Sequence, residues 1–337
     1  MSCYLTGFGA ALPAREVTNA ELAPLLGVTP EWIETNSGIR ARRWVNADQS
    51  TSELATSAVQ AAMRNAGLGA EQLDYLIGGT LSPDYQVPGI APLVQRRLVG
   101  CRPVPALDLR AGCAAILYSL QVAQGLLTAG AAQHVACFGA EAQSKGLDIH
   151  PRSAELSMLF GDGAGAVIVS RTPKPGGLSL RLLDVLIATD GSFAEDLLVR
   201  APGTANGARW FDETQSLFGA MNGRTVILQA VRKLSEAALE ITARNGLALA
   251  QIDVVVPHQA NLNLLHALGK RLGIAAERIV VNVDRYGNTS GASAFLALQQ
   301  AQAEKRFRAG AYVLVLAFGA GFTWGAALCQ VCEGERS

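Results

Sequence analysis

Cys113, in Leu109-Arg-Ala-Gly-Cys-Ala-Ala115, lies between an apolar strand-like run and a long helix. At a helix N-terminus the macrodipole and the free backbone N–H groups favour thiolate and lower the thiol pKa. Its neighbours Ala111, Gly112 and Ala114 are small enough for a substrate to approach closely. Covalent catalysis at an acyl group is the chemistry such a position offers; a buried core cysteine is the plainer reading. His258 closes the buried run Asp253-Val-Val-Val-Pro257, with Asn261 three residues on. Asn288 stands in Tyr286-Gly-Asn-Thr-Ser-Gly-Ala-Ser293, which by itself reads as a turn before a helix. Taken singly, the histidine is a satisfied structural group and the asparagine an ordinary turn residue. Thiol, imidazole and carboxamide from separate segments become informative together, and only if the fold brings them to one place.

An internal repeat suggests how it does so. Asn65-Ala-Gly-Leu68 leads to Glu71-Gln-Leu-Asp-Tyr-Leu-Ile-Gly-Gly79, and Asn245-Gly-Leu247 leads to Gln251-Ile-Asp-Val-Val-Val-Pro-His258. Both follow an amphipathic helical pattern and enter a short aliphatic run, so each reads as helix, loop, strand. Further on, Ser293 stands 180 positions after Cys113, Gly310 after Gly130 and Gly319 after Gly139, across an Ala/Leu-rich helix in both cases. Each half alternates strands and helices, an α/β pattern of mainly parallel or mixed sheets with covering helices. The halves are expected over 1–172 and 178–337, with the Pro- and Gly-rich 172–179 between them and an insertion at about 144–157. A pseudo-dyad would set Cys113 beside the loop leading to Ser293 and bring His258 toward the same cavity.

Composition narrows the class. Twenty-eight basic residues balance 28 acidic ones, so nothing points to nucleic acid as a partner. No apolar run reaches the ~18 residues of a membrane span, and no basic, then apolar, leader opens the chain. Six scattered cysteines read as reduced and cytoplasmic. The Cys329-x-x-Cys332 pair sits in a strand-like tail with no second pair nearby in sequence, so no metal site is expected. Gly161-Asp-Gly-Ala-Gly165 lacks the Lys-Ser/Thr ending of a phosphate loop and reads as a tight turn with a satisfied Asp162.

Five motifs then carry a family resemblance. His258-Gln-Ala-Asn261, Gly287-Asn-Thr-Ser290, Phe160-Gly-Asp-Gly-Ala-Gly-Ala166, Gly38-Ile-Arg40 and Phe318-Gly-Ala-Gly-Phe-Thr-Trp-Gly325 resemble β-ketoacyl-acyl carrier protein synthase III, in that family's order, over residues 4–329. The resemblance implies a duplicated thiolase-like fold around buried central helices. It implies Cys113 as the nucleophile, acylated by acyl-CoA, with no further cofactor. His258 and Asn288 would hold the enolate formed when a malonyl-loaded acyl carrier protein loses CO2, and backbone N–H groups of Cys113 and Ala320 the second oxyanion. It further implies a homodimer, Trp32, Arg152 and Asn261 at the CoA site, Lys270 and Arg271 for carrier-protein docking, and Val87 as a gate on the partner's acyl pocket. Degradative thiolases carry a second catalytic cysteine in the glycine-rich loop, and 318–322 has none.

Three positions depart from the family pattern. Asn36 replaces an arginine of the CoA entrance, Asn263 a basic docking residue, and Leu228 stands where a docking lysine is common. They leave the chemistry intact and keep open a starter-unit condensing enzyme or acyltransferase of secondary metabolism.

Overall fold

The computed structural model describes residues 2–200, 203–206 and 219–335. Nine strands form one sheet, in the order Ile252–Pro257, Tyr312–Gly319, Thr323–Glu333, Leu178–Thr189, Cys3–Ala11, Gly163–Ser170, His134–Glu141, Tyr75–Gly79 and Ala106–Leu109. Its middle is a short antiparallel ladder in which Cys3, Tyr4 and Leu5 face Leu182, Arg181 and Leu180. Outward from that join the two sides have the same order and pairing. The first two pairings on each side are antiparallel and the next is parallel. Where one side ends on the parallel strand Ala106–Leu109, the other has a single parallel bridge from Val255 to Ile279.

The sheet is therefore mixed. Thr323–Glu333 runs antiparallel to Tyr312–Gly319 because only residues 320–322 separate them, far too few for a parallel crossover, and it also pairs antiparallel with Leu178–Thr189.

The apolar side chains segregate into three clusters. One centres on the helices Ala115–Thr128 and Ser293–Ala303, which pack against strands of both sides of the sheet. The others lie under the outer helices Thr51–Ala66 and Gly223–Arg244. Thr51–Ala66 shows why such a segment is helical. Ser50 and Glu53 form a capping box at its start, Gly67 closes it at φ 77°, and Leu54, Ala55, Ala58, Val59 and Ala62 fall on one buried face. No described helix is long and apolar enough to cross a membrane. Among the described residues no His, Cys, Asp or Glu cluster is placed to hold a metal ion.

Two glycines let the sides meet. A Cβ on Gly139 would lie 2.1 Å from the Gly291 carbonyl oxygen, and a Cβ on Gly319 would lie 2.8 Å from the Cys113 nitrogen. Each strand end thus accepts, against its bare backbone, the turn that starts the other side's central helix. Backbone cannot swing aside as a side chain can, so Gly139→Ala should destabilise by about 3 kcal/mol or more. By calorimetry Tm should fall by roughly 4 °C or more. An unchanged Tm would mean that the halves do not approach this closely.

Candidate active site

Cys113 lies in the turn Gly112–Ala114 that feeds the Ala115–Thr128 helix, with Gly112 at φ 53°. Its side chain is buried and Sγ donates to Ser290 Oγ at 3.5 Å. Burial pushes the thiol up to about 12; the Ser290 bond opposes this and the nearby Glu141 carboxylate adds to it. The lowered pKa expected of a helix start is thus overturned, and magnitudes say why. A helix end supplies at most ~2 kcal/mol, or ~1.5 pH units, whereas full burial moves a group by up to ~3–5 units.

His258 follows the strand Ile252–Pro257, and its backbone N–H donates to the Leu316 carbonyl at 2.7 Å. Nδ1 is hydrogen-bonded to Ser293 Oγ at the start of the second central helix. Burial lowers the imidazole to about 3, so it is neutral at physiological pH. Asn288 is fixed by three bonds. Its N–H donates to the Leu159 carbonyl at 2.8 Å, its carbonyl accepts from the Gly161 N–H at 3.1 Å, and its Oδ1 accepts from the Ser290 N–H at 2.8 Å. With Oδ1 engaged, the amide presents Nδ2, a donor, to the space beside it.

Cys113, His258 and Asn288 line one cavity of about 270 Å³, together with Trp32, Asn261 and Phe318. Trp32 also lines a neighbouring cavity of about 490 Å³ that includes Arg152. Arg152 already pairs with Asp148 at 2.8 Å. Asn261 has most of its amide committed: Oδ1 caps the Leu262–Leu272 helix through the N–H groups of Asn263 and Leu264, and Nδ2 donates to the Asn36 carbonyl. Ala320 reaches the site by its backbone, its nitrogen 3.5 Å from a Cβ position built on Gly112.

Other expected residues lie outside both cavities. Lys270 and Arg271 are exposed in the last turn of the Leu262–Leu272 helix, about 12 Å along it from its first residue. Val87 is 87% exposed beside Tyr85 at 61%, which leaves an apolar loop uncovered in a single chain. Asp162 is the satisfied turn residue expected, accepting from the Val45 N–H, the Ser144 N–H and the Ser144 hydroxyl.

Three buried polar groups at the site were not picked out by sequence: Ser290, Ser293 and Glu141. Glu141 accepts from Ser82 Oγ (2.7 Å), Leu81 N–H (3.1 Å) and Gly291 N–H (3.2 Å), and burial lifts it to about 7. Ser293 carried a signal in its place 180 positions after Cys113, and Ser290 only as the last residue of Gly287-Asn-Thr-Ser290; Glu141 carried none.

A thiol held this high forms thiolate in proportion to hydroxide over the accessible range. Alkylation of Cys113 by iodoacetamide, followed by peptide mass spectrometry, should accelerate about tenfold per pH unit from 7 to 10. A plateau below pH 8 would show the helix end outweighing burial.

Comparison with known proteins agrees with this geometry. The 3-oxoacyl-[acyl-carrier-protein] synthase III family model matches residues 107–191, and the model of its C-terminal part matches 242–331. A β-ketoacyl-[acyl-carrier-protein] synthase III from Nitratidesulfovibrio vulgaris is 42% identical over 97% of this chain and 98% of its own. The Thermus thermophilus synthase III structure superposes with a TM-score of 0.86 at 41% identity, covering 97% and 98% of the two chains. A priming β-ketosynthase from a polyketide biosynthetic pathway gives 0.86 at 29% identity, over 98% of this chain and 96% of its own. The extent and identity of these matches place the chain in the β-ketoacyl-acyl carrier protein synthase III family.

Proposed function

We propose that this enzyme joins an acyl-CoA primer to malonyl-acyl carrier protein by decarboxylative Claisen condensation, the initiating step of fatty acid synthesis. The observation that carries this is the cavity lined by a buried thiol and by two neutral groups able to donate hydrogen bonds, the His258 imidazole and the Asn288 amide. Cys113 Sγ attacks the acyl-CoA carbonyl. The thioester C–S bond breaks and the thiol proton ends on the departing CoA thiolate. Malonyl thioester then enters and its Cα–carboxylate bond breaks. CO2 leaves, and the electron pair spreads onto the thioester oxygen, where His258 and Asn288 donate to the developing charge. The carbanion attacks the acyl-cysteine, with the Cys113 and Ala320 N–H groups around the second oxyanion, and the released Cys113 thiolate takes up a proton. Neutral donors suit a decarboxylation, because an imidazolium would bind the malonyl carboxylate itself and oppose its loss.

In the same reading Trp32, Arg152 and Asn261 serve the CoA moiety, while Lys270 and Arg271 receive the acidic carrier protein. Two chains pair through the loop around Val87, in the cytoplasm, and the fold divides near 172–178 into halves that supply Cys113 on one side and His258 and Asn288 on the other. The second reading, a starter-unit condensing enzyme of secondary metabolism, draws on Asn36, Asn263 and Leu228 and on the likeness to the priming β-ketosynthase. Turnover with the carrier protein of fatty acid synthesis against that of a polyketide pathway separates the two.

Cys113→Ala should show no thioester adduct by intact mass after exposure to acyl-CoA; an adduct on the variant removes Cys113 as nucleophile. His258→Ala and Asn288→Ala should still acylate but release CO2 from malonyl-acyl carrier protein roughly 100- to 1,000-fold more slowly, the usual effect of losing one oxyanion donor. Loss of acylation with decarboxylation intact would reverse the assignment.

Primer length is read at Val87. Valine leaves more depth than phenylalanine, and each buried CH2 of a longer chain contributes about 0.8 kcal/mol. Octanoyl-CoA should therefore exceed acetyl-CoA in kcat/KM, and Val87→Phe should shift the ratio toward acetyl-CoA. A wild type that prefers acetyl-CoA, unmoved by the substitution, excludes this gate.

A further inference from the structure

We propose that Ser293 is a positioning residue that selects the tautomer of His258, holding the proton on Nε2. Ser293 is fully buried, and its Oγ lies within hydrogen-bond distance of His258 Nδ1. That oxygen also accepts the Gln259 backbone N–H at 3.3 Å. The hydroxyl proton then needs an acceptor, and among the described residues the bonds to Oγ offer one, His258 Nδ1. The reverse arrangement, with Nδ1–H donating to Oγ, strands the hydroxyl proton in a dry site, a penalty buried polar groups avoid. With Nδ1 accepting, the imidazole proton must sit on Nε2, which makes no bond to any described residue while His258 lines the cavity. Nε2–H therefore joins Asn288 Nδ2 as a donor. The opposite tautomer would aim a lone pair at the enolate oxygen.

The repeat gives this role a structural origin. By spacing Ser293 lies 180 positions after Cys113; Cys113 sits in the turn that feeds the first central helix, and Ser293 opens the second just after the corresponding turn 290–292. The two equivalent helix starts have diverged, one into the proposed nucleophile and the other into the support of its partner histidine.

The inference rests on the condensing role proposed above, so the test reads the two separately. In protein labelled with 15N and 13C at histidine, with the His258 signals identified by their loss in His258→Gln, the wild type should show the Nε2–H tautomer from pH 6 to 8. Ser293→Ala should shift the signals toward a mixture with Nδ1–H. CO2 release should then fall roughly ten- to hundredfold, with a much smaller fall in acylation of Cys113. Ser293→Thr, which keeps the hydroxyl, should recover the Nε2–H signature. An Nδ1–H tautomer in the wild type, or a Ser293→Ala protein with unchanged signals and rate, overturns the proposal while leaving the condensation standing. Failure of the wild type to acylate Cys113 would instead defeat the functional reading.

Discussion

The site exists because two bare strand ends allow backbone to touch backbone. Gly139 lies against the turn 290–292 and Gly319 against the turn 112–114, at separations that no Cβ could occupy. Those contacts bring the starts of the two central helices to the middle of the molecule, and with them Cys113, Ser290 and Ser293. His258 arrives at the end of the strand that pairs with Tyr312–Gly319, its N–H bonded to Leu316. Asn288 arrives on a loop bridged to Phe160. Packing at the two glycines thus precedes any chemistry.

Such packing leaves the site dry, and dryness sets its charge state. The thiol is pushed up and the imidazole down by the same cause, so Cys113 and His258 are both neutral where they face the cavity. For the proposed decarboxylation that is an advantage, since donors without charge would not stabilise the carboxylate about to leave. For the proposed acylation of Cys113 it means that the thiol proton must move as the acyl group does, without a stored thiolate. Glu141 reinforces this. It is a carboxylate under the site whose hydrogen bonds tie the loop at residues 80–82 to the Asn288 loop through the Gly291 N–H.

A second buried charge braces the same loop. Arg42 is fully buried and donates to Asn19 Oδ1 and the Met158 carbonyl, and its Cβ lies 3.1 Å from the positions a Cβ would take on Gly161 and Gly287. A guanidinium anchored by neutral acceptors fixes the backbone on both sides of Phe160 and Asn288, the strand-like bridge on which the amide is mounted.

Much of this was legible in the sequence. The 180-residue spacing from Cys113 to Ser293 and from Gly139 to Gly319 pointed to two helix starts and two strand ends in equivalent places, and the strand order repeats on the two sides of the sheet. The elements themselves follow from local rules: caps at Ser50 and Gly67, aliphatic runs for strands, and a three-residue turn that forces an antiparallel closing strand. The thiol's ionisation was beyond such rules. A helix start argues for a lowered pKa, and the surrounding packing makes burial the larger effect. Glu141 and Arg42 gave no signal either, because a carboxylate and a guanidinium read as surface residues until the fold surrounds them. Residue type and spacing are properties of the chain, and they were enough to point to the groups proposed to carry the chemistry and the strands and helices that bear them. Protonation and orientation came from the fold, because desolvation and hydrogen-bond partners are supplied by segments remote along the chain, as Cys113 and Ser290 are at 177 positions apart.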